Sequence, residues 1–223
     1  ACGARIVGLH THTGSGILAA SNWQEVAREL VRLAEDFVDV RYVDLGGGLG
    51  VPEKVGQPPL DIAALDASLA EVRAARPDLE IWLEPGRYLV AEAGALIARV
   101  TQLKGKGQVR YVGVSTGMNS LIRPALYGAY HEIVNLSRWG EAADQLVSVV
   151  GPNCETGDLL GTDRLLPECD EGDVLLIATA GAYGAVMSSS YNLREPAVEL
   201  TLPAVAAGAS DGDSPALRRR RRG

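Results

Sequence analysis

Three strand endings, each followed at once by a loop rich in glycine or histidine, constrain this chain more than any other feature. Apolar runs end at Leu9, Leu45 and Leu83, 36 and 38 residues apart. The loops read His10-Thr-His12-Thr-Gly14-Ser15-Gly16, Gly46-Gly47-Gly48 and Glu84-Pro85-Gly86-Arg87. That spacing suits one strand-helix unit of a (β/α)8 barrel. Between the strands, Trp23, Val26, Ala27, Leu30, Val31, Ala34 and Phe37 recur at helical steps behind a capping box of Ser21 and Gln24. A second stripe of Ile62, Leu65, Leu69 and Val72 follows Asp61 as N-cap, and Pro77 ends it. The segment from Ala4 to about Val90 therefore reads βαβαβ, with strands at 5–9, 40–45 and 79–83 and both helices covering a parallel sheet.

A closed barrel takes eight such units, about 250 residues, and only three are present. From about Gly94 the pattern changes to strand-like runs at 95–103, 108–115, 145–150 and 173–178, separated by glycine turns such as Lys104-Gly-Lys-Gly107. The expected organisation is α/β plus β: part of a barrel over 1–93, a mostly β domain over 94–202, and a tail over 203–223. The tail is rich in Ala, Gly, Ser and Asp, ends in five consecutive arginines and a glycine, and is expected to be disordered and solvated.

Composition narrows the partners. A net charge of −7 argues against a nucleic-acid or anionic-membrane partner, because a phosphate lattice is neutralised by a basic face. No apolar run approaches the roughly 18 residues of a membrane span, and no signal peptide is recognisable. Cys2, Cys154 and Cys169 are too few and too irregular for a disulfide framework or a zinc site, which points to a reducing compartment, the cytoplasm. Small molecules and other protein chains are left as partners.

In a barrel the C-terminal strand ends share one mouth, so the three loops should converge there. Gly46, Gly47 and Gly48 lack Cβ atoms and can wrap their N–H groups around a phosphate, or they form a plain strand-to-helix turn. Ser15 can add a phosphate hydrogen bond. His12 offers a ring to lie on a cofactor face, or it is a core histidine bonded to a carbonyl. Glu84 can keep a pyridine nitrogen protonated, or it forms a rim ion pair with Arg87. Together these residues suit a flat, anionic, heteroaromatic ligand. Cys154 by itself reads more often as a small buried apolar side chain than as a catalyst.

Six ordered segments resemble the fold-type III (alanine-racemase-like) pyridoxal-phosphate decarboxylases of basic amino acids. They are Gly8–Ser15, Asp44–Gly48, Glu84–Arg87, Arg123–Tyr127, Gly151–Asp158 and Gly181–Gly184. The resemblance covers roughly residues 4–196 and the second half of a typical member. It implies pyridoxal 5'-phosphate as cofactor, with His12 stacked on its ring, Ser15 and Gly46, Gly47 and Gly48 on its phosphate, and Glu84 on its pyridine nitrogen. Gly86, Arg87 and Tyr183 complete the cofactor contacts. Arg87, Arg123, Tyr127, Glu155 and Tyr183 are implied to contact an amino-acid substrate, with the arginines as carboxylate forks. Cys154 is implied to approach from the partner subunit of a homodimer and to supply the proton that replaces the departing carboxylate. Glu155 is implied to read the distal amino-acid end of meso-2,6-diaminopimelate, whose decarboxylation gives L-lysine. The Cys-Glu-Thr spelling tilts toward this substrate, since ornithine-type relatives favour aspartate after the cysteine.

The family anchors its cofactor on a lysine upstream of the His-x-His-x-Gly-Ser motif. Here the lysines are Lys54, in a loop, and Lys104 and Lys106, flanking Gly105 in an apparent hairpin turn. All three read as solvated, so the chain is expected to be a fragment that does not complete the reaction alone. Two other classes compete: a non-catalytic homologue that binds the cofactor or a partner chain, and an amidohydrolase-like barrel using His10 and His12 as metal ligands. The second needs further ligands, and the remaining histidine is His131.

Overall fold

Parallel pairing of three short strands organises the first of two units, Ala1–Gly94 and Ala95–Gly223. The computed structural model describes residues 3–54, 56–106, 109–202 and 218–219. In the first unit β1 (Gly8–His10), β2 (Tyr42–Asp44) and β3 (Glu80–Trp82) lie in sequence order. Their register aligns Gly8 with Tyr42 and Glu80, Leu9 with Val43 and Ile81, and His10 with Asp44 and Trp82. Helices α1 (Ser21–Ala34) and α2 (Ile62–Ala75) connect them, which is the βαβαβ order that the periodicity indicates.

Alternation along the strands sorts the two faces. Val43 and the following Leu45 are fully buried with Trp23, Ala27, Leu30 and Ala34 of α1 and Leu65 and Val72 of α2. On the other face Tyr42 stacks on Trp82, with ring centroids 4.0 Å apart and planes 8° from parallel. A Cβ at Gly8 would run into the Tyr42 ring, so the glycine makes room for it. Trp82 is nevertheless half exposed.

The caps divide. Asp61 is the N-cap of α2, accepting from the Ala64 N–H at 2.9 Å, and α2 stops at Ala75 with Arg76 before Pro77, as proline disfavours helical geometry in its predecessor. The capping box of α1 does not form. Ser21 is already inside the helix, Ala20 is the N-cap with no side-chain bond, and the Gln24 amide donates instead to Glu71 at 3.0 Å.

The second unit is built on a six-stranded sheet in the order β6-β9-β4-β5-β7-β8. Its strands are β4 (Leu96–Lys106), β5 (Val109–Val114), β6 (Ile133–Asn135), β7 (Gln145–Val150), β8 (Leu159–Leu166) and β9 (Val174–Ile177). All neighbours are antiparallel except β5 and β7. Inward alternation gives the core: Leu96, Ala98 and Val100 of β4, Val112 and Val114 of β5, Val147 and Val149 of β7, and Leu175 and Ile177 of β9. The edge strands β6 and β8 come close, because Ile133 lies where a side chain on Gly161 would go. The sheet is thus nearly closed on itself, which limits exposed edges.

Strand β4 continues through Lys106 and pairs Lys104 with Tyr111 and Gly105 with Arg110. This corrects the expected hairpin turn at Lys104–Gly107: the two lysines are strand residues, because nothing in Gly105 interrupts an antiparallel ladder whose outer face is solvated. Strands β6 and β8 were not indicated by the sequence pattern. A short helix, α3 (Gly86–Val90), follows β3, and another, α4 (Arg123–Tyr127), precedes β6. Of the expected tail, residues 203–217 and 220–223 lie outside the described residues. Strand β11 (Arg218–Arg219) pairs antiparallel with β10 (Leu200–Thr201). Among the described residues, no helix is long and apolar enough to cross a membrane.

Leu160→Ala, at a fully buried position of β8, is expected to lower stability by about 2–5 kcal/mol. Asp61→Ala, which removes a cap on the surface, should cost about 1 kcal/mol. Urea titration followed by circular dichroism reads both.

Candidate active site

In the first unit the sheet ladder does not stop where the strands do. The Thr11 N–H donates to the Asp44 carbonyl at 3.0 Å, Leu45 N–H to Trp82 at 3.0 Å, and Glu84 N–H to Gly46 at 3.0 Å. Farther on, Ile17 N–H donates to Gly48 and Gly50 N–H to Ile17, both at 2.9 Å. The three motif loops are therefore held side by side by backbone bonds.

Such close approach explains the glycine run. A Cβ on Gly46 would lie 2.6 Å from the Thr11 carbonyl oxygen, one on Gly47 would overlap the Glu84 carbonyl, and one on Gly48 would overlap that of Gly14. Gly46 and Gly48 also have φ of 69° and 88°, in the left-handed region that glycine alone enters freely. Two of the three N–H groups already have partners. Gly46 donates to the Asp44 carboxylate at 2.9 Å and Gly47 to His12 Nδ1 at 3.2 Å. The run packs strand ends together at least as much as it offers amides to a ligand.

His12 is exposed and held by that Gly47 bond. With Nδ1 accepting, the neutral ring carries its proton on Nε2. His10 Nε2 lies 3.5 Å from a Glu84 carboxylate oxygen, and both side chains are about half exposed. Glu84 therefore does not form the rim ion pair with Arg87. Arg87, from the first turn of α3, instead faces Glu53 at 3.2 Å and donates to Ser15 Oγ at 3.0 Å. Gly86 opens that helix, and a Cβ added there would meet nothing within 4 Å. Ser15 and Arg87 together make a donor-rich corner, in which Glu53 balances the guanidinium charge. One group of potential metal-binding side chains forms among the described residues, His10, Asp44 and Glu84, and His12 is not part of it. The two-histidine ligand pair is thus not assembled: His12 is engaged by the Gly47 N–H, whereas His10 faces Glu84.

In the second unit the Gly151–Asp158 segment follows β7. Asp158 is buried and accepts from Met118 N–H at 2.6 Å and Asn153 N–H at 2.7 Å, one bond to each oxygen. Gly117 and Gly151 lie against the same carboxylate, where any side chain would collide with it. The Asn153 amide donates to Asn119 at 3.2 Å, and the Asn119 amide donates to the Glu195 carbonyl at 3.2 Å. This buried network ties the Cys154 loop to the loop after β5.

Cys154 itself is a free, exposed thiol, not the buried apolar residue that a lone cysteine more often is. Next to it, Glu155 accepts from Gly157 N–H at 3.2 Å and from the Tyr191 hydroxyl at 2.9 Å. Those bonds, the Gly157 one foremost, hold the Glu155 carboxyl below the usual glutamate range. Conversely, the Glu155 carboxylate, with a smaller contribution from Cys154, pushes the Tyr191 hydroxyl up. Arg123 is buried on α4 and its Nη1 lies 3.1 Å from His131 Nε2, while Tyr127 of the same helix is exposed. Tyr183 is partly exposed and adopts φ 62°, an outlier for a bulky residue and the kind of strain that marks functional loops.

Asp158, Asn119, Tyr191 and His131 receive no role from the sequence alone. Asp158 does stand inside a recognised segment, and the chemistry of a buried acid beside two glycines was the available signal. The other three are brought in by tertiary folding.

Residues 34–181 match the family model described as the C-terminal sheet domain of pyridoxal-dependent decarboxylases. A diaminopimelate decarboxylase of Aquifex aeolicus is 43% identical over 87% of this chain and 47% of its own length. One of Haemophilus influenzae is 40% identical over 97% of this chain and 51% of its own. The crystal structure of the diaminopimelate decarboxylase of M. jannaschii in complex with L-lysine superposes with a TM-score of 0.79, at 36% identity, over 87% of this chain and 46% of that one. The chain spans about half the length of the curated relatives it matches.

Titration of the Glu155 carboxyl by carbon-13 NMR is expected to fall below the ordinary glutamate range. Its folded-state value is depressed, so the stabilisation it brings is complete above the unfolded-state value and disappears as pH falls through the folded one. Tyr191→Phe should move the titration upward without restoring an ordinary value, because the Gly157 bond persists. An unmoved titration would contradict the assigned contact.

Proposed function

The chain belongs to the pyridoxal-dependent decarboxylases, and from that premise we propose that it is the part of a diaminopimelate decarboxylase that carries three of the cofactor-binding barrel units and the β domain. The carrying observation is the backbone ladder that aligns His12, Gly46–Gly48 and Glu84–Arg87 at three successive strand ends. Support for the barrel comes from the first unit's sheet, which has helices on one face and a half-exposed Tyr42–Trp82 stack on the other. Parallel sheets are covered on both faces in nearly every known case.

The residues suit pyridoxal phosphate on their own chemistry. Ser15 and Arg87 provide a donor-rich corner for the phosphate beside a glycine loop that any side chain would obstruct. His12 presents an exposed ring for the pyridine face. Glu84 offers a carboxylate that suits a protonated pyridine nitrogen. When bound, the cofactor supplies the electron sink that takes up the pair left at Cα as carbon dioxide departs.

The chain's own groups do the rest. Arg123 and Tyr127 bind and orient the substrate, with the guanidinium as a carboxylate fork. Glu155, kept anionic by Gly157 and Tyr191, receives the far ammonium group and so favours a diamino acid over a neutral one. The exposed Cys154 thiol passes its proton to Cα in place of the lost carboxyl group, leaving a thiolate that is reprotonated from water. The product from meso-diaminopimelate is L-lysine, placing the chain in lysine biosynthesis. A homodimer with shared sites and a cytoplasmic location belong to the same proposal.

Lys54 and Lys104 are both exposed, so the cofactor-anchoring lysine is proposed to come from residues that this sequence does not contain. Combined with that lysine-bearing portion, the chain is expected to release carbon dioxide from meso-diaminopimelate, and Cys154→Ala should slow release by about 10²- to 10⁴-fold. Undiminished release from the variant would remove Cys154 from its role. Release by the unsupplemented chain, with a borohydride-fixed adduct on Lys54, Lys104 or Lys106, would remove the need for an outside lysine.

A further inference from the structure

His131 has none of its surface exposed, yet the chemistry outlined above gives it no part. Its place follows from local folding. Gly128, at φ 62°, closes α4 with its N–H donated to the Pro124 carbonyl at 3.0 Å. The chain then reverses and brings residue 131 back against Arg123. Two residues later β6 pairs with β9, Ile133 opposite Ile177, and Ala178 N–H donates to the Glu132 carbonyl at 2.8 Å. That register sets the carbonyl of Ala178 beside the imidazole.

Two neighbours fix the ring's protonation independently. Nδ1 lies 2.9 Å from the Ala178 carbonyl oxygen, which can only accept, so Nδ1 carries a hydrogen. Thr179 Oγ1, 3.2 Å from Nδ1, gives its own hydrogen to the same carbonyl at 2.8 Å and therefore faces the ring as an acceptor too. On the opposite side Nε2 lies 3.1 Å from Arg123 Nη1. A guanidinium has donors only, so Nε2 must be bare. These contacts fit the neutral Nδ1–H tautomer. Adjacent Tyr130 and Glu132 are engaged with each other, hydroxyl to carboxylate at 2.7 Å, and Arg164 lies over the Tyr130 ring.

We propose that His131 is a positioning residue for Arg123. As a neutral imidazole it accepts one guanidinium N–H and so helps fix the orientation in which the guanidinium would meet a substrate carboxylate. The carboxylate part rests on the decarboxylase reading, whereas the His131–Arg123 arrangement does not. A long side chain with several rotatable bonds needs such a fixed acceptor to present a planar fork in one orientation. Glutamine can reproduce the device, its amide N–H donating to Ala178 and its amide oxygen accepting from Arg123. Leucine fills similar space and offers neither.

The test is nitrogen-15 NMR of the folded 223-residue chain at neutral pH, which requires neither cofactor nor turnover and so stands or falls separately from the enzymatic reading. Long-range correlation across the imidazole should show Nδ1 protonated and Nε2 bare. In His131→Leu the Arg123 guanidinium protons should exchange with water about tenfold faster, and in His131→Gln they should stay within about threefold of the parent rate. A protonated Nε2 in the parent chain would overturn the proposal, and that measurement needs no variant to fold. Unchanged Arg123 exchange in a folded His131→Leu variant would also overturn it. A merely space-filling histidine would make leucine, rather than glutamine, the benign replacement.

Discussion

Backbone hydrogen bonds between neighbouring strand ends are the constraint on which the first unit depends. Parallel strands three residues long are weak elements by themselves, and here pairing extends beyond them through Thr11, Leu45 and Glu84. Bonds of that kind require main chains to approach more closely than side chains allow, which is why Gly46, Gly47 and Gly48 stand where a Cβ would overlap a carbonyl of the adjoining loop. The glycine run is thus a packing requirement first. What it brings into line, the exposed His12 ring, the Glu84 carboxylate and the Ser15–Arg87 corner, is the set of groups proposed to hold the cofactor.

The second unit solves a similar problem with a buried charge. A carboxylate with little access to water is costly unless its lone pairs are filled. Asp158 receives N–H groups from two different loops and is flanked by Gly117 and Gly151, so its desolvation is compensated by strong, charge-assisted bonds. The loop that begins at Asn153 is anchored by these bonds, and Cys154 and Glu155 stand on it exposed to solvent. Fixing Glu155 further through Tyr191 and Arg123 through His131 follows the same pattern, in which a residue that would touch a ligand is oriented by one that would not.

Much of the first unit was legible because its information is periodic or local. Helical stripes, the Asp61 cap, the proline stop after α2 and the spacing of strand ends all act within a few residues of where they are read. The Ser21–Gln24 capping box misled because the chain enters α1 one residue earlier, from Ala20, and Gln24 finds Glu71 on the neighbouring helix. In the second unit, three-residue β6 is too short to show alternation. Strand β8 shifts register against β7, and Asp163 within it has φ 52°, so its apolar positions do not keep a period of two. Partnerships such as Arg123 with His131, or Glu155 with Tyr191 across 36 positions, are products of tertiary folding that no local pattern encodes. The Glu84–Arg87 pairing suggested by proximity in sequence was displaced by His10 and Glu53, which the ladder and the following loop bring nearer.

Crystallography of pyridoxal phosphate bound to a protein that joins this chain to the proposed lysine-bearing portion is the decisive measurement. The phosphate is expected at Ser15 and the Gly46–Gly48 loop, the ring against His12, and the pyridine nitrogen at the Glu84 carboxylate. Density for the cofactor elsewhere, or a ring nitrogen turned away from Glu84, would contradict it.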